Sequence, residues 1–112
     1  MKKIGIYGGS FDPIHHGHLI LAREALETLD LAEVIFVLAA QSPHKALTRP
    51  ASAAVRWEML TAAISGEQCF SASRLEIDRP PPSYSIDTVE QLRTEKSDAK
   101  FFFLVGEDNL RL

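Results

Sequence analysis

The sequence predicts an α/β domain in which about four parallel strands form a sheet with flanking helices, incomplete at its C-terminal end. Apolar segments of strand length alternate with amphipathic segments of helical period. The strand segments are mostly continuous apolar runs, which is typical of parallel strands covered on both faces. This alternation requires right-handed crossovers and indicates the Rossmann-like class. A chain of 112 residues fits one such domain, so we assign residues 1–112 to it.

The elements follow one another without a linker or an internal repeat. Strand composition, helical spacing and clusters of proline and polar residues separate them. In chain order the sequence predicts strand 3–8, helix 16–31, strand 33–40, loop 41–51, helix 52–65, strand 68–77, loop 78–85, helix 86–96 and strand 100–106.

Two of these segments carry more detailed expectations. In the helix over 52–65, Ser52 is the expected N-cap. Val55, Met59 and Ala62 recur at helical spacing, which predicts that they face the core. The last segment, KFFFLVG, is so apolar that we expect a buried strand.

Composition excludes several classes of protein. A net charge of −3 without a lysine or arginine block argues against nucleic acid as a partner. No apolar run approaches the roughly 20 residues of a membrane span, and the N-terminus is too broken for a signal peptide, so we expect a cytoplasmic protein. Cys69 is the single cysteine and is expected to be a reduced, packed thiol. The oligomeric state cannot be predicted from these features.

Three of the four histidines lie in the segment GGSFDPIHHGHL, residues 8–19, where the first strand passes into the first helix. Ligands of open parallel sheets bind beyond the carboxyl ends of the strands, where this turn lies. Its glycines allow a ligand to approach the backbone, and a helix N-terminus attracts anions. His15 and His18 lie three residues apart and can donate to phosphate oxygens, and a bound phosphate would favour their protonated form. We therefore predict a phosphate-binding turn.

Two other interpretations of the histidines stay open at this stage. One is a metal site formed by the three rings with Asp12 nearby, although the spacing differs from that of zinc hydrolases. The other is ordinary capping and packing. The patterns of dinucleotide-binding and P-loop turns, GxGxxG and GK[ST], are absent.

The segment GGSFDPIHHGHL resembles the signature of the HxGH nucleotidyltransferase superfamily, and Pro13 and His15 point to its nicotinate mononucleotide adenylyltransferases. Further blocks resemble that family in the same order: SPHK at 42–45, RWEML at 56–60, SYSIDTVEQL at 83–92 and VGEDNL at 105–110.

The resemblance implies transfer of an adenylyl group from ATP to nicotinate mononucleotide, which yields deamido-NAD and pyrophosphate with the help of Mg²⁺ carried by the nucleotide phosphates. It implies that His18 and His15 are catalytic and that the protein itself holds no metal. It further implies ATP binding by Gly8, Gly9, Ser10, Phe11, His15, His18, Gly106 and Asp108, and mononucleotide binding by His44, Lys45, Tyr84 and Ser85. His16 occupies the variable position of the motif and is expected to be dispensable. Arg56 and Trp57 are expected to serve packing or a surface ion pair.

The chain departs from the family at its end. Members of that family continue past the GxD segment with an aromatic residue for the nicotinate ring and a Ser/Thr-rich helix start for the ATP phosphates, and neither stands in these 112 residues. We therefore expect little or no turnover by the chain alone. Two alternatives remain: a non-catalytic nucleotide-binding paralogue, and an adenylyltransferase for the amide mononucleotide or another phosphate acceptor.

Overall fold

A computed structural model describes residues 1–39, 52–78 and 85–104, with backbone alone for residues 85 and 86. Its elements are β1 (Lys2–Gly9), α1 (His16–Thr28), β2 (Glu33–Leu38), α2 (Ala53–Ile64), β3 (Phe70–Ser73), α3 (Leu75–Asp78), α4 (Ser85–Glu95) and β4 (Ala99–Leu104). The strands form one parallel sheet in the order β3-β2-β1-β4. The predicted fold class and the order of the main elements are confirmed.

The sheet is covered on both faces because alternate residues of β1 and β2 contribute to two separate cores. On one face Tyr7, Phe36 and Leu38 pack with buried side chains of α1 and α2. On the other face Ile6 and Val37 pack with Leu92 of α4. Two apolar faces per strand explain why the central strands are continuous apolar runs.

Helix α2 begins as predicted but buries a different stripe. Ser52 is its N-cap, with Oγ accepting a hydrogen bond from the Val55 N–H at 3.2 Å. The buried residues are Arg56, Leu60 and Ile64. The expected stripe is wrong, since Val55 and Met59 are 46% and 42% exposed. Both sets of residues have helical spacing, and the set that packs against the core is the one that includes Arg56.

The Ser52 cap provides a stability prediction. Ser52→Ala removes the acceptor of one N-terminal N–H of α2, and we expect it to cost about 1 kcal/mol of unfolding free energy. Thermal denaturation checks this as a fall in Tm of several degrees. Ser52→Asp keeps an oxygen acceptor and should retain most of the stability. Equal Tm values for the alanine and aspartate variants would contradict the capping role.

Three further expectations need correction. The strand expected over 68–77 ends at Ser73, because the Ser73 hydroxyl accepts the Leu75 N–H at 3.2 Å and the chain turns into α3. Strand β4 is not fully buried: Phe103 is 55% exposed, since β4 pairs only with β1 among the described strands. Cys69 is a free but exposed thiol and not the packed one expected. Among the described helices none is both long and apolar enough to cross a membrane.

Candidate functional site

The carboxyl ends of β1 and β2 lie side by side at one edge of the sheet. The β1–α1 turn, residues 10–15, follows β1 at this edge. Gly9 lies in register with Leu38, and the Ala39 N–H donates to the Gly9 carbonyl at 2.8 Å. From β1 the chain adds β2 and β3 on one side and returns to add β4 on the other. The strand order therefore reverses between β1 and β4, and parallel α/β sheets bind ligands at the carboxyl ends of the strands beside such a topological switch point.

The side chains of His15 and His18 each accept a backbone hydrogen bond at the start of α1. His15 is the N-cap, and its Nδ1 accepts the Gly17 N–H at 3.1 Å. The Nδ1 of His18 accepts the backbone N–H of His15 at 3.0 Å. The two rings stack with centroids 3.9 Å apart and an interplanar angle of 26°. The predicted pair is therefore brought together, and a capping box fixes its geometry.

These bonds determine which nitrogen of each ring can act as a donor. A backbone N–H can only donate, so each Nδ1 provides the lone pair. The proton of each neutral ring then lies on Nε2. In this ligand-free arrangement a proton on Nδ1 would place two donors against each other. An anion at this site meets two Nε2–H groups and the positive end of the α1 dipole.

Gly17 is required by the position of the His15 ring. A Cβ at this residue would lie 2.9 Å from His15 Cε1 and 3.0 Å from Nδ1. Real Cβ atoms essentially never approach another heavy atom below 3.0 Å, so any other residue would displace the ring. The glycine between the two histidines therefore serves the geometry of the pair.

Phe11 holds the other side of the turn in the core. It is 2% exposed, has a left-handed backbone (φ 44°) and packs edge-on against His18 with centroids 5.0 Å apart. Its ring also contacts Tyr7 and Phe36. A non-glycine residue in the left-handed region is strained, and the buried ring compensates by anchoring the turn. Sequence reasoning assigned Phe11 a backbone role and did not foresee this support of His18.

Gly8 differs from its neighbours in having space around it. Apart from Gly8 itself and its two chain neighbours, no atom of the described residues lies within 4 Å of the position a Cβ would take there. At Gly9 a Cβ would lie 3.3 Å from Phe11 Cζ, and at Gly5 it would lie 2.9 Å from Leu31 Cδ1. Packing therefore explains the glycines at 5 and 9, whereas Gly8 borders open space at the end of β1.

Arg56 is the component that sequence reasoning missed. It is 2% exposed, and its Nη1 donates to the Ser10 carbonyl at 3.0 Å and to the Ala39 carbonyl at 2.8 Å. Burial lowers the pKa of the guanidinium, and the carboxylate of Asp12 acts in the opposite direction. The available signal was the spacing of Arg56, Leu60 and Ile64, which puts an arginine at the head of an apolar helical stripe.

The other six predicted site residues have no described side chain. His44, Lys45, Tyr84, Gly106 and Asp108 lie outside the described residues. Ser85 begins α4, and only its backbone is described. The structure therefore brings together the histidine and glycine part of the predicted site, and the mononucleotide and ribose parts stay predictions.

The donor groups of the described turn can be compared with the ligands that Mg²⁺ prefers. Within residues 1–39, 52–78 and 85–104, no three His, Cys, Asp or Glu side chains are grouped to hold a metal ion. Mg²⁺ prefers oxygen ligands, whereas the turn offers imidazole and N–H donors. This donor set is suited to an anion.

Comparisons with known proteins agree with the fold and the motif. The family model described as cytidylyltransferase-like matches residues 6–112. A curated protein of Thermus thermophilus named as a nicotinate-nucleotide adenylyltransferase is 48% identical over 109 residues, which is 97% of this chain and 58% of that protein. One of Thermomicrobium roseum with the same name is also 48% identical, over 98% of this chain and 51% of that protein.

A solved structure of the Plasmodium falciparum nicotinic acid mononucleotide adenylyltransferase, complexed with NaAD, superimposes with a TM-score of 0.76. It is 24% identical to this chain and covers 96% of this chain and 53% of that one, which establishes the shared fold. This chain thus spans about half the length of the relatives it matches. The resemblance that the motifs predicted is confirmed.

Proposed function

This chain belongs to the cytidylyltransferase-like family, and on that premise we propose that its protein transfers an adenylyl group from ATP to nicotinate mononucleotide. The products are deamido-NAD and pyrophosphate. The observation that carries the proposal is the stacked His15–His18 pair, held by a capping box at the switch point of the sheet. The names of the curated relatives supply the substrates.

In the proposed reaction the substrate supplies its own nucleophile. A phosphate oxygen of nicotinate mononucleotide attacks the α-phosphorus of ATP. The bond from that phosphorus to the oxygen bridging to the β-phosphorus breaks, and pyrophosphate leaves with the bonding electrons. The protein therefore has to position two phosphates and stabilise the charge that develops between them.

The described residues can perform this positioning. The Nε2–H of His18 donates to the α-phosphate, where charge grows during attack, and that of His15 holds the neighbouring phosphates. Gly8, Gly9, Ser10 and Phe11 offer backbone contacts to the same chain of phosphates. Both histidines donate through Nε2–H, and the N-terminal end of α1 adds the positive end of its dipole at this turn.

The remaining assignments rest on the family resemblance. Gly106 and Asp108 bind the adenosine ribose, a carboxylate being a suitable acceptor for its hydroxyl groups. His44 and Lys45 contact the mononucleotide phosphate, and Tyr84 and Ser85 recognise the pyridine carboxylate. Mg²⁺ arrives with the phosphates of ATP as part of the substrate. A cytoplasmic location, where ATP is available, completes the proposal.

The test is product formation. The 112 residues are joined to the C-terminal part of the Thermus thermophilus relative, which extends beyond the matched region. This fusion is incubated with MgATP and nicotinate mononucleotide, and pyrophosphate and deamido-NAD are quantified. We expect both products in equal amounts, with CTP giving much less than ATP. Nucleotide binding without any product would favour the non-catalytic alternative, and preference for the amide mononucleotide would replace the acceptor.

Gly8 provides a prediction about ATP binding. Gly8→Ala places a methyl group in the open space at the end of β1, so we expect about tenfold weaker ATP binding and an unchanged Tm. Gly5→Ala is the matched control, because its methyl group meets Leu31 in the core and not the site. It should lower Tm and leave the Kd for ATP unaltered. Calorimetric titration and thermal denaturation measure both quantities, and the reverse pattern would remove Gly8 from the site.

A further inference from the structure

The guanidinium of Arg56 links the two loops that frame the proposed ATP site. It reaches the carbonyl of Ser10, one residue after β1, and the carbonyl of Ala39, one residue after β2. Both carbonyls lie past the ends of their strands, where ladder hydrogen bonds stop. One buried cation thus binds two carbonyls, which lie 46 and 17 positions before it in the chain.

Burial of the Arg56 guanidinium costs free energy that only its hydrogen bonds and nearby charges can offset. Arg56 is 2% exposed, although it heads a helix stripe whose other members are Leu60 and Ile64. An aliphatic side chain there would fill the core without desolvating a charge. A guanidinium, in contrast, presents several donors in a rigid plane and can fix two carbonyls at once.

Fixing the Ser10 carbonyl also fixes the next N–H group. The C=O of Ser10 and the N–H of Phe11 belong to one planar trans peptide unit and point in opposite directions. Because the carbonyl points at Arg56, the Phe11 N–H points away from it. Within the described part of the chain that N–H has no backbone acceptor, and Phe11 as a whole is 2% exposed. It is therefore a donor held ready for an acceptor from outside.

We propose that Arg56 is a positioning residue for ATP, which it serves by orienting the Ser10–Phe11 peptide so that the Phe11 N–H donates to a phosphate. The inference rests on the proposed function. Arg56 does not contact the nucleotide in this account, and its effect passes through the β1–α1 turn.

The test compares ATP binding with stability in the 112-residue chain. Arg56→Lys keeps the charge but loses the planar fork, and we expect MgATP to bind about ten- to a hundredfold more weakly by calorimetry. Ile64→Val, also on α2, lowers Tm through the core and should leave the Kd unchanged. Arg23→Lys repeats the same substitution at an exposed arginine that pairs with Glu67, and should change neither quantity.

A second variant separates positioning from general damage to the fold. Arg56→Ala leaves a space that free guanidinium fits, so millimolar methylguanidinium should recover much of the lost affinity. The Phe11 amide resonance should shift on addition of MgATP in the unaltered chain.

The outcomes are distinct. An unchanged Kd in Arg56→Lys, or an equal loss of affinity in Ile64→Val, would overturn the positioning role. If the unaltered chain does not bind MgATP, the same variants are compared in the fusion protein, and failure of the fusion protein to bind MgATP would count against the proposed function itself.

Discussion

Replacing His18 by asparagine is expected to reduce turnover of the fusion protein about 10²–10³-fold and to lower Tm by only a few degrees. The Oδ1 of asparagine lies as many bonds from Cα as the histidine Nδ1, so it can still accept the His15 N–H and close the α1 cap. What it lacks is the Nε2–H donor proposed to stabilise the α-phosphate. Steady-state kinetics with MgATP and nicotinate mononucleotide, together with thermal denaturation, measure the two effects.

Two control variants make this expectation specific. In His18→Gln the side-chain amide nitrogen can occupy the place of Nε2, so activity should exceed that of His18→Asn despite a weaker cap. His16→Asn changes an exposed ring at the variable position of the motif and should leave turnover unaltered. Full activity in His18→Asn would show that the Nε2–H donor is unnecessary.

Gly17→Ala is expected to separate stability from activity in the same turn. Its Cβ would lie 2.9 Å from His15 Cε1, so the ring has to leave its stacked position. We expect turnover to fall about 10- to 100-fold, since a small misplacement of a positioned donor has effects of that size. Tm should change little, because alanine favours helix by up to about 1 kcal/mol and offsets the lost cap.

A double-mutant cycle shows whether the loss acts through His15. With His15→Ala already present there is no ring to displace, so adding Gly17→Ala should reduce turnover no further. Kinetics of the two single variants and the double variant give the coupling. Strictly additive losses would mean that Gly17 acts on the site by another route.

Much of this architecture could be predicted because its signals are local. The alternation of strand and helix, the Ser52 cap and the proximity of His15 and His18 depend on residues a few positions apart. The neutral form of the two rings was not foreseen. It depends on which backbone N–H donates to each Nδ1. Those donors are known only once the first residue of α1 is known to be His16, which makes His15 the N-cap.

The stripe of α2 was mispredicted for a different reason. Hydrophobicity favoured Val55 and Met59 over Arg56, because an arginine is rarely buried without partners. Its partners are the carbonyls of Ser10 and Ala39, which only the folded sheet brings next to the helix. A hydrophobic pattern within the helix cannot predict acceptors that lie this far away in the sequence.

In the proposed function, the ATP phosphates bind at the His15–His18 pair through neutral Nε2–H donors. Nitrogen-15 NMR of the imidazole rings, with MgATP added to the 112-residue chain, tests it most directly. We expect both rings to show Nε2-protonated tautomers before and after addition, with the Nε2 resonances of His15 and His18 shifting and those of His16 unmoved. Protonation of Nδ1 on binding, or a shift confined to His16, would contradict the claim.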